Sequence, residues 1–209
     1  MTPLWIAGTP RTCSQVLCDM LNQTGMFDPI FSEWYNSNEF DEFPKTPPKF
    51  CKIFPNQYKE HFGHDRFDII EEQLPGIRWV YLTRRDKIAQ TASVVIANNS
   101  GVWNCGDSNE KQKEKYKAFA GEVSDKELIG NYRWLVSMDA TLDKFFRTRS
   151  HLRLVCEDIK RDPASAARTI LGYIGSDGEF NIKPRLAVLE NPMREELMRR
   201  LRKLIRRMR

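Results

Sequence analysis

One cation and two hydroxyl side chains follow the first apolar segment of this chain at close spacing. Arg11, Thr12 and Ser14 lie between the apolar run 4–7 and residues 16–21, whose apolar side chains recur with helical period. This order predicts a strand, a tight loop and the N-terminus of a helix. The first amides of a helix lack intrahelical partners and its dipole is positive there, so the loop is suited to bind a phosphate-like anion. Arg11 adds a forked cationic donor to such a site.

The loop departs from the pattern that binds nucleoside triphosphates, G-x-x-x-x-G-K-[ST]. Cys13 stands at the second glycine position and Ser14 at the lysine position. A magnesium-dependent kinase or NTPase is therefore disfavoured. The alternative is a strand-to-helix turn with a hydroxyl N-cap and no ligand, and the loop by itself leaves both interpretations open.

A second basic turn follows another apolar run, residues 78–83. Arg84 and Arg85 stand where a helix is predicted to begin, and Ser93 lies about two turns further on. Positive charge at a helix N-terminus is unfavourable unless an anion binds, which favours a functional site over a set of surface arginines. If both strands are central in one parallel sheet, both loops emerge at its carboxyl edge, where ligands of open α/β sheets bind. Two such loops predict a ligand with two separated anionic groups.

Strands alternate with helices along the chain, which predicts a three-layer α/β/α fold around a central parallel sheet. Strands are expected near 4–7, 50–54, 78–83 and 151–156. Helices are expected near 67–73, 84–98, 126–146 and 163–175. Residues 26–50 are expected to be irregular, residues 104–126 a loop or an exposed helix, and residues 157–159 the lead into a turn. We expect a single domain over residues 1–209.

Composition limits the class of protein. Hydrophobic residues make up 41% and charged residues 29% of the chain, as in an ordinary globular domain, and no run is apolar enough for a membrane span. No secretion signal opens the chain, so we expect a cytoplasmic protein. Its five cysteines include no CxxC pair, which indicates reduced thiols and no zinc site.

The net charge of +5 is concentrated at the end of the chain. Residues 194–209, REELMRRLRKLIRRMR, predict a basic helix over about 193–209 with a leucine stripe. Such a helix is expected to lie on a solvated face and to suit contact with an anionic membrane surface. Because the rest of the chain is close to neutral, its basic isoelectric point does not indicate a nucleic-acid partner.

An ordered set of motifs resembles the bacterial trehalose 2-sulfotransferase family, whose members use 3′-phosphoadenosine 5′-phosphosulfate (PAPS). The resemblance covers about residues 4 to 190, in the P-loop-like sulfotransferase fold. Departures include Cys13 for a loop glycine, Ile96 for an arginine and Cys156 for a tyrosine. The matching pieces are GTPRTCS at 8–14, FSEWY at 31–35, CKI at 51–53, LTRRDKIAQTAS at 82–93, GVW at 101–103 and VCEDI at 155–159.

The resemblance implies transfer of a sulfuryl group to a hydroxyl, without a metal. Glu33 would be the general base, and Arg11 would act at the leaving group. Lys52 would contact either the leaving group or the acceptor. Arg84 and Ser93 would hold the 3′-phosphate, and Arg85 is the alternative candidate for this role. It further implies a carbohydrate or glycolipid acceptor and a homodimer. The residues implied at the 5′-phosphosulfate are Arg11, Thr12, Cys13, Ser14 and Gln15.

Two other functions stay open on the sequence. A P-loop-like nucleotide kinase would need ATP and magnesium, and the chain lacks the loop lysine for it. A non-catalytic module would bind adenosine 3′,5′-bisphosphate, or a partner through the basic tail, without turnover. Nucleotide preference and turnover distinguish the three.

Overall fold

The computed structural model describes residues 2–27, 49–63, 66–104, 109–186 and 189–208. Within them, the sheet consists of β1 (Leu4–Ala7), β2 (Phe50–Ile53), β3 (Arg78–Thr83) and β4 (Leu152–Val155), in the order β2-β1-β3-β4. All neighbouring strands pair in parallel. β1 and β3 are the two central strands, which is the condition under which both basic loops emerge at the carboxyl edge of the sheet. Their carboxyl ends therefore lie side by side, with Ala7 paired to Tyr81.

The helices of the described residues follow the predicted order with two differences: a helix over 55–62 was not predicted, and residues 156–161 are helical. The prediction of a turn after residue 159 is therefore wrong. The helix within 104–126 is one of the two predicted alternatives for that segment. The helices are α1 (Ser14–Asn22), α2 (Pro55–Phe62), α3 (Asp68–Gln73), α4 (Lys87–Ser100), α5 (Glu110–Ala118), α6 (Asp125–Phe146), α7 (Cys156–Arg161), α8 (Pro163–Tyr173) and α9 (Met193–Met208).

The chain divides into two compact units, and the first contains the whole sheet. It comprises residues 1–83 and 138–184, and the second unit comprises residues 84–137 and 185–209. In the first unit, Leu4 and Ile6 pack on one sheet face against α1 and α8. On the other face, Trp5 and Ala7 join an aromatic cluster with α2, α3 and the end of α6. This alternation along β1 confirms the three-layer α/β architecture.

The second unit contains α4, α5 and α9. Its core joins apolar side chains of α4 to Leu197, Met198 and Leu201 of α9. In the leucine stripe of the basic helix, Leu197 and Leu201 are thus buried and Leu204 is partly buried, as expected of its apolar side. The exposed residues of α9 include Arg199, Arg202, Lys203, Arg206 and Arg207. Contact of these cations with a membrane surface stays a prediction.

Asn191 joins α9 to the end of α5. Its side-chain amide donates to the carbonyl oxygens of Tyr116 at 2.6 Å and Phe119 at 3.0 Å. Its Oδ1 accepts a hydrogen bond from the backbone amide of Met193, the first residue of α9. One buried amide therefore both caps α9 and fixes it within its unit. No helix in the described ranges is long and apolar enough to cross a membrane.

Candidate functional site

The loop between β1 and α1, residues 8–13, is here called the anion loop. Two of its residues that are not glycine, Arg11 and Cys13, have a φ of 66°. This left-handed conformation costs free energy for any residue with a Cβ and persists only where its surroundings fix it. Thr12 helps to fix the conformation of the loop: its side chain is fully buried, and its hydroxyl donates a hydrogen bond to the carbonyl oxygen of Thr9 at 2.8 Å. The Thr12 hydroxyl therefore closes the loop.

The N-cap of α1 is Cys13, and its side chain makes no capping hydrogen bond. The hydroxyl N-cap that the sequence left open is therefore wrong, because Ser14 is already the first helical residue and is buried. An N-terminus without a side-chain cap keeps its positive dipole and its first-turn amides for another acceptor. This arrangement suits an anion at Ser14 and Gln15.

Gly8 permits the close approach of the anion loop to β3. A Cβ at this position would lie 3.1 Å from both the Leu82 Cβ and the Thr12 Oγ1, and 3.2 Å from the Leu82 carbonyl oxygen. These distances are shorter than ordinary van der Waals contact. The glycine therefore brings the backbone of the loop directly against the central strand.

Two acidic residues of α6 accept hydrogen bonds from hydroxyl groups of the first unit. Thr9, fully buried, donates its hydroxyl to Asp139 Oδ1 at 3.2 Å. Tyr81 donates its hydroxyl to Asp143 Oδ1 at 2.9 Å. Burial raises the pKa of Tyr81 well above its usual value, and the contact with Asp143 raises this pKa further. Asp139 supports the anion loop, a role that sequence reasoning missed.

Lys52 and Gln15, two predicted site residues, are brought together by the pairing of β2 with β1. Only 2% of Lys52 is exposed, and its Nζ donates to Gln15 Oε1 at 2.9 Å. The same ammonium lies 4.9 Å from the centre of the Phe54 ring. A buried cation is therefore fixed against the first turn of α1, where an anion is expected. An ordinary strand-end lysine would instead extend into solvent.

The predicted residues of the second basic turn lie in the second unit. Arg84 is 7% exposed and follows β3 directly in the chain, whereas Arg85 is exposed. Ser93 is buried in α4, which begins after Asp86, and the Asp86 carboxylate accepts the amide of Ala89 at 2.8 Å. α4 therefore begins three residues after the predicted start at Arg84, and both arginines precede its N-cap. The greater burial of Arg84 limits its side-chain freedom, which lowers the entropic cost of binding a ligand there.

Glu33 and the aromatic residues around it, residues 31–35, lie outside the described residues. The assignment of Glu33 as general base therefore stays a prediction. In the part of the chain that the structure describes, no group of three or more histidine, cysteine or acidic residues could hold a metal ion.

A family model described as Stf0 sulphotransferase matches residues 50–204 of this chain. The chain belongs to the Stf0 sulphotransferase family. Membership makes it a sulfotransferase by class, and the matched range contains Lys52, Arg84 and Ser93. The anion loop and Glu33 precede that range, so their roles depend on local geometry and on the motif resemblance. The narrower resemblance to trehalose 2-sulfotransferases stays a prediction.

Among solved structures, this sulfotransferase is similar to a sulfotransferase from Alicyclobacillus acidocaldarius. The two share 12% sequence identity with a TM-score of 0.48, over 99% of this chain and 96% of the other. No curated protein matches this sulfotransferase. Its fold class follows from the order and parallel register of its own strands.

Proposed function

We propose that this Stf0 family member transfers a sulfuryl group from PAPS to a hydroxyl group of a carbohydrate or glycolipid. Family membership supplies the reaction class. The observation that carries the choice of donor is the start of α1, which has no side-chain cap and has the buried Lys52 ammonium against its first turn. A phosphosulfate is an anion of the kind that such a helix start binds.

The chain offers two sets of groups for the two anionic ends of the donor. The amides from Arg11 to Gln15, together with the Arg11 guanidinium, would bind the 5′-phosphosulfate. Arg84 and Ser93 would bind the 3′-phosphate, and Arg85 is the alternative candidate for this role. Guanidinium groups form paired hydrogen bonds with phosphate oxygens, which suits Arg84 for this role.

The proposed reaction forms one sulfur–oxygen bond and breaks another. The acceptor oxygen bonds to sulfur, the bond from sulfur to the bridging oxygen breaks, and adenosine 3′,5′-bisphosphate leaves. Glu33 takes the proton that the acceptor hydroxyl loses. Like phosphoryl transfer, this chemistry depends mainly on positioning and on stabilising charge at the leaving oxygen. Arg11 and Lys52 would supply that stabilisation.

Lys52 is suited to this role because it is held before any ligand arrives. Its hydrogen bond to Gln15 and its position over Phe54 restrict its side chain to one place. A cation fixed in advance stabilises developing charge without the cost of reorganisation. The ammonium can exchange Gln15 for a leaving oxygen with little movement, because Gln15 belongs to the expected anion site itself.

The acceptor class is proposed from the aromatic character of residues 31–35, FSEWY. Aromatic rings pack well against the apolar faces of sugars, while a carboxylate among them can accept a hydroxyl proton. This part of the proposal depends on the sequence alone. A free sugar and the sugar of a glycolipid offer the same chemistry.

The test is transfer of label from sulfur-labelled PAPS to separate pools of carbohydrates and glycolipids. We expect labelled product from the wild type and a decrease in turnover of about 100-fold or more for Arg11→Ala. Arg147→Ala, which changes an exposed arginine directly after α6, is the matched control and should retain turnover. Phosphoryl transfer from ATP–magnesium, or donor binding without any turnover, would overturn the proposal.

A further inference from the structure

Cys13 and Cys156 lie side by side although 143 positions separate them in the chain. Their Sγ atoms are 2.7 Å apart. Each sulfur also lies near a carbonyl oxygen of the opposite segment: Cys13 Sγ is 3.7 Å from Cys156 O, and Cys156 Sγ is 3.8 Å from Arg11 O in the anion loop. The pair is therefore enclosed between the anion loop and the start of α7.

Both cysteines stand at positions where the chain departs from the trehalose 2-sulfotransferase pattern, which has a glycine and a tyrosine there. The structure shows that these two departures meet in space. Cys13 is the N-cap of α1 and Cys156 is the first residue of α7, so each occupies a fixed backbone position beside the carboxyl edge of the sheet.

We propose that Cys13 and Cys156 form a reversible disulfide that ties the anion loop to α7 and weakens donor binding when oxidised. A disulfide requires a sulfur–sulfur distance of about 2.05 Å, so the sulfurs need to approach by only about 0.7 Å. The donor-binding part of this inference rests on the proposed function. The formation of the disulfide does not.

A small-molecule disulfide such as oxidised glutathione is the oxidant. The Cys13 thiolate, which is half-exposed, attacks one sulfur of the oxidant, and one glutathione thiol leaves. The buried Cys156 thiolate then attacks the Cys13 sulfur of this mixed disulfide, and the second glutathione thiol leaves. The protein loses two electrons and two protons, and the oxidant gains both. Disulfides of this transient kind are the ones found in reducing compartments.

The effect on the donor follows from the place of Cys13 in the loop. Its amide belongs to the group expected to hold the 5′-phosphosulfate, and its φ of 66° already constrains the turn. A covalent bond to Cys156 draws this residue toward α7 and prevents the loop from adjusting around an anion. We expect the affinity for adenosine 3′,5′-bisphosphate to decrease by about fivefold or more on oxidation.

The experiment oxidises the full chain with glutathione disulfide and maps the disulfides by tryptic digestion without reduction. We expect the peptides 12–45 and 154–160 to be joined, and dithiothreitol to separate them. Peptide 12–45 also contains Cys18, so the Cys18→Ser variant is mapped in parallel and should retain the bond. Cys156→Ser should lose the bond and retain glutathione on Cys13.

Calorimetric titration with adenosine 3′,5′-bisphosphate then compares the reduced and oxidised wild type with Cys156→Ser. Weaker binding after oxidation of the wild type, restored by dithiothreitol, supports the inference. No bond between Cys13 and Cys156 overturns it, and so does unchanged or tighter binding after the bond forms. Failure of the reduced protein to bind the nucleotide overturns the proposed function instead, while the peptide map still decides whether the disulfide exists.

Discussion

At the scale of single residues, Lys52 is a predicted catalytic residue, and its ammonium donates a hydrogen bond to Gln15. Replacing Lys52 with methionine removes the ammonium that donates to Gln15 and fills the same buried space. We expect Lys52→Met to lower turnover by about 100-fold, because charge on the leaving oxygen loses a fixed cation. The melting temperature should change little, because replacing a buried charge with an apolar side chain of similar volume is often neutral.

Steady-state kinetics and thermal unfolding measure the two effects separately. Lys59→Met, which changes an exposed lysine of α2, is the matched control and should leave turnover intact. If Lys52→Met turns over at the rate of the wild type, Lys52 has no part in the chemistry.

Glu33 carries the second residue-scale prediction. Glu33→Gln keeps the size of the side chain and removes its basicity, so we expect turnover to decrease by about 100-fold to 10,000-fold. Adenosine 3′,5′-bisphosphate should bind as tightly as it does to the wild type. Single-turnover kinetics with sulfur-labelled donor measure the loss, with Glu39→Gln in the same segment as control. Retained turnover in Glu33→Gln would remove this residue from the mechanism.

Sequence analysis could predict site residues only where the residues that form a site are consecutive in the chain. The anion loop was predicted because its strand, basic residue and helix pattern are consecutive. The contact of Thr9 with Asp139 and that of Cys13 with Cys156 join residues that are 130 and 143 positions apart. No local pattern contains such a pair, so only the folded chain could reveal them.

At the scale of elements, Gly8 determines how closely the anion loop approaches β3. Gly8→Ala would place a Cβ 3.1–3.2 Å from atoms of Leu82, including a backbone oxygen of a central strand that cannot move freely. We expect the free energy of unfolding to decrease by about 1–3 kcal/mol. The displaced loop should also bind adenosine 3′,5′-bisphosphate more weakly.

Urea unfolding and calorimetry measure these two effects. Gly172→Ala in α8 is the control, because no atom lies within 4 Å of its added Cβ. Alanine should be tolerated there and should favour the helix. Equal stability of Gly8→Ala and the wild type would mean that the loop does not depend on this close approach.

Tyr81 gives β3 a defined response to alkaline pH. Its pKa is raised in the folded protein, mainly by burial, whereas in the unfolded chain it ionises near pH 10. Above about pH 10 the unfolded state therefore binds fewer protons than the native state, and stability decreases as pH rises. Below that pH this contribution is fully present. Burial also raises the pKa of Tyr58, which adds to the same loss.

We expect Tyr81→Phe to reduce the loss of stability between about pH 10 and pH 12. Asp143, the partner of the hydroxyl, is exposed and can be solvated in the variant. Urea unfolding at several pH values measures the slope, with Tyr132→Phe at a half-buried position as control. A slope equal to that of the wild type would show that ionisation of Tyr81 does not limit alkaline stability.

The elements that sequence analysis missed are short. β3 was predicted at its observed bounds, because four consecutive apolar or aromatic residues between polar ends, Arg78 and Thr83, are typical of a buried strand. α7 has only six residues, too few to show a helical period. Its acidic residues Glu157 and Asp158 lie in the first turn and Lys160 and Arg161 in the last, which matches the helix dipole. That charge order was the signal for a helix where a turn was expected.

At the scale of the whole molecule, the alternation of strands and helices was enough to predict a parallel α/β sheet. The division into two units was not predictable from composition. The boundary after Thr83 falls between a strand and the turn that opens the next helix, and α6 is one continuous helix with residues in both units. Residues 84–86 are polar but belong to a predicted helix start, and the boundary within α6 has no glycine or proline, so neither place is recognisable as a linker from the sequence.

The central claim is that the chain binds a nucleotide carrying a separate 3′-phosphate, and calorimetric titration of the reduced protein tests it most directly. We expect adenosine 3′,5′-bisphosphate to bind more tightly than adenosine 5′-monophosphate or ATP–magnesium. The advantage of the 3′-phosphate should disappear in Arg84→Ala and persist in the control Arg147→Ala. The 3′-phosphate strengthens binding only when its partner, the Arg84 guanidinium, is present. Tighter binding of ATP–magnesium, or an undiminished 3′-phosphate advantage in Arg84→Ala, would contradict the account.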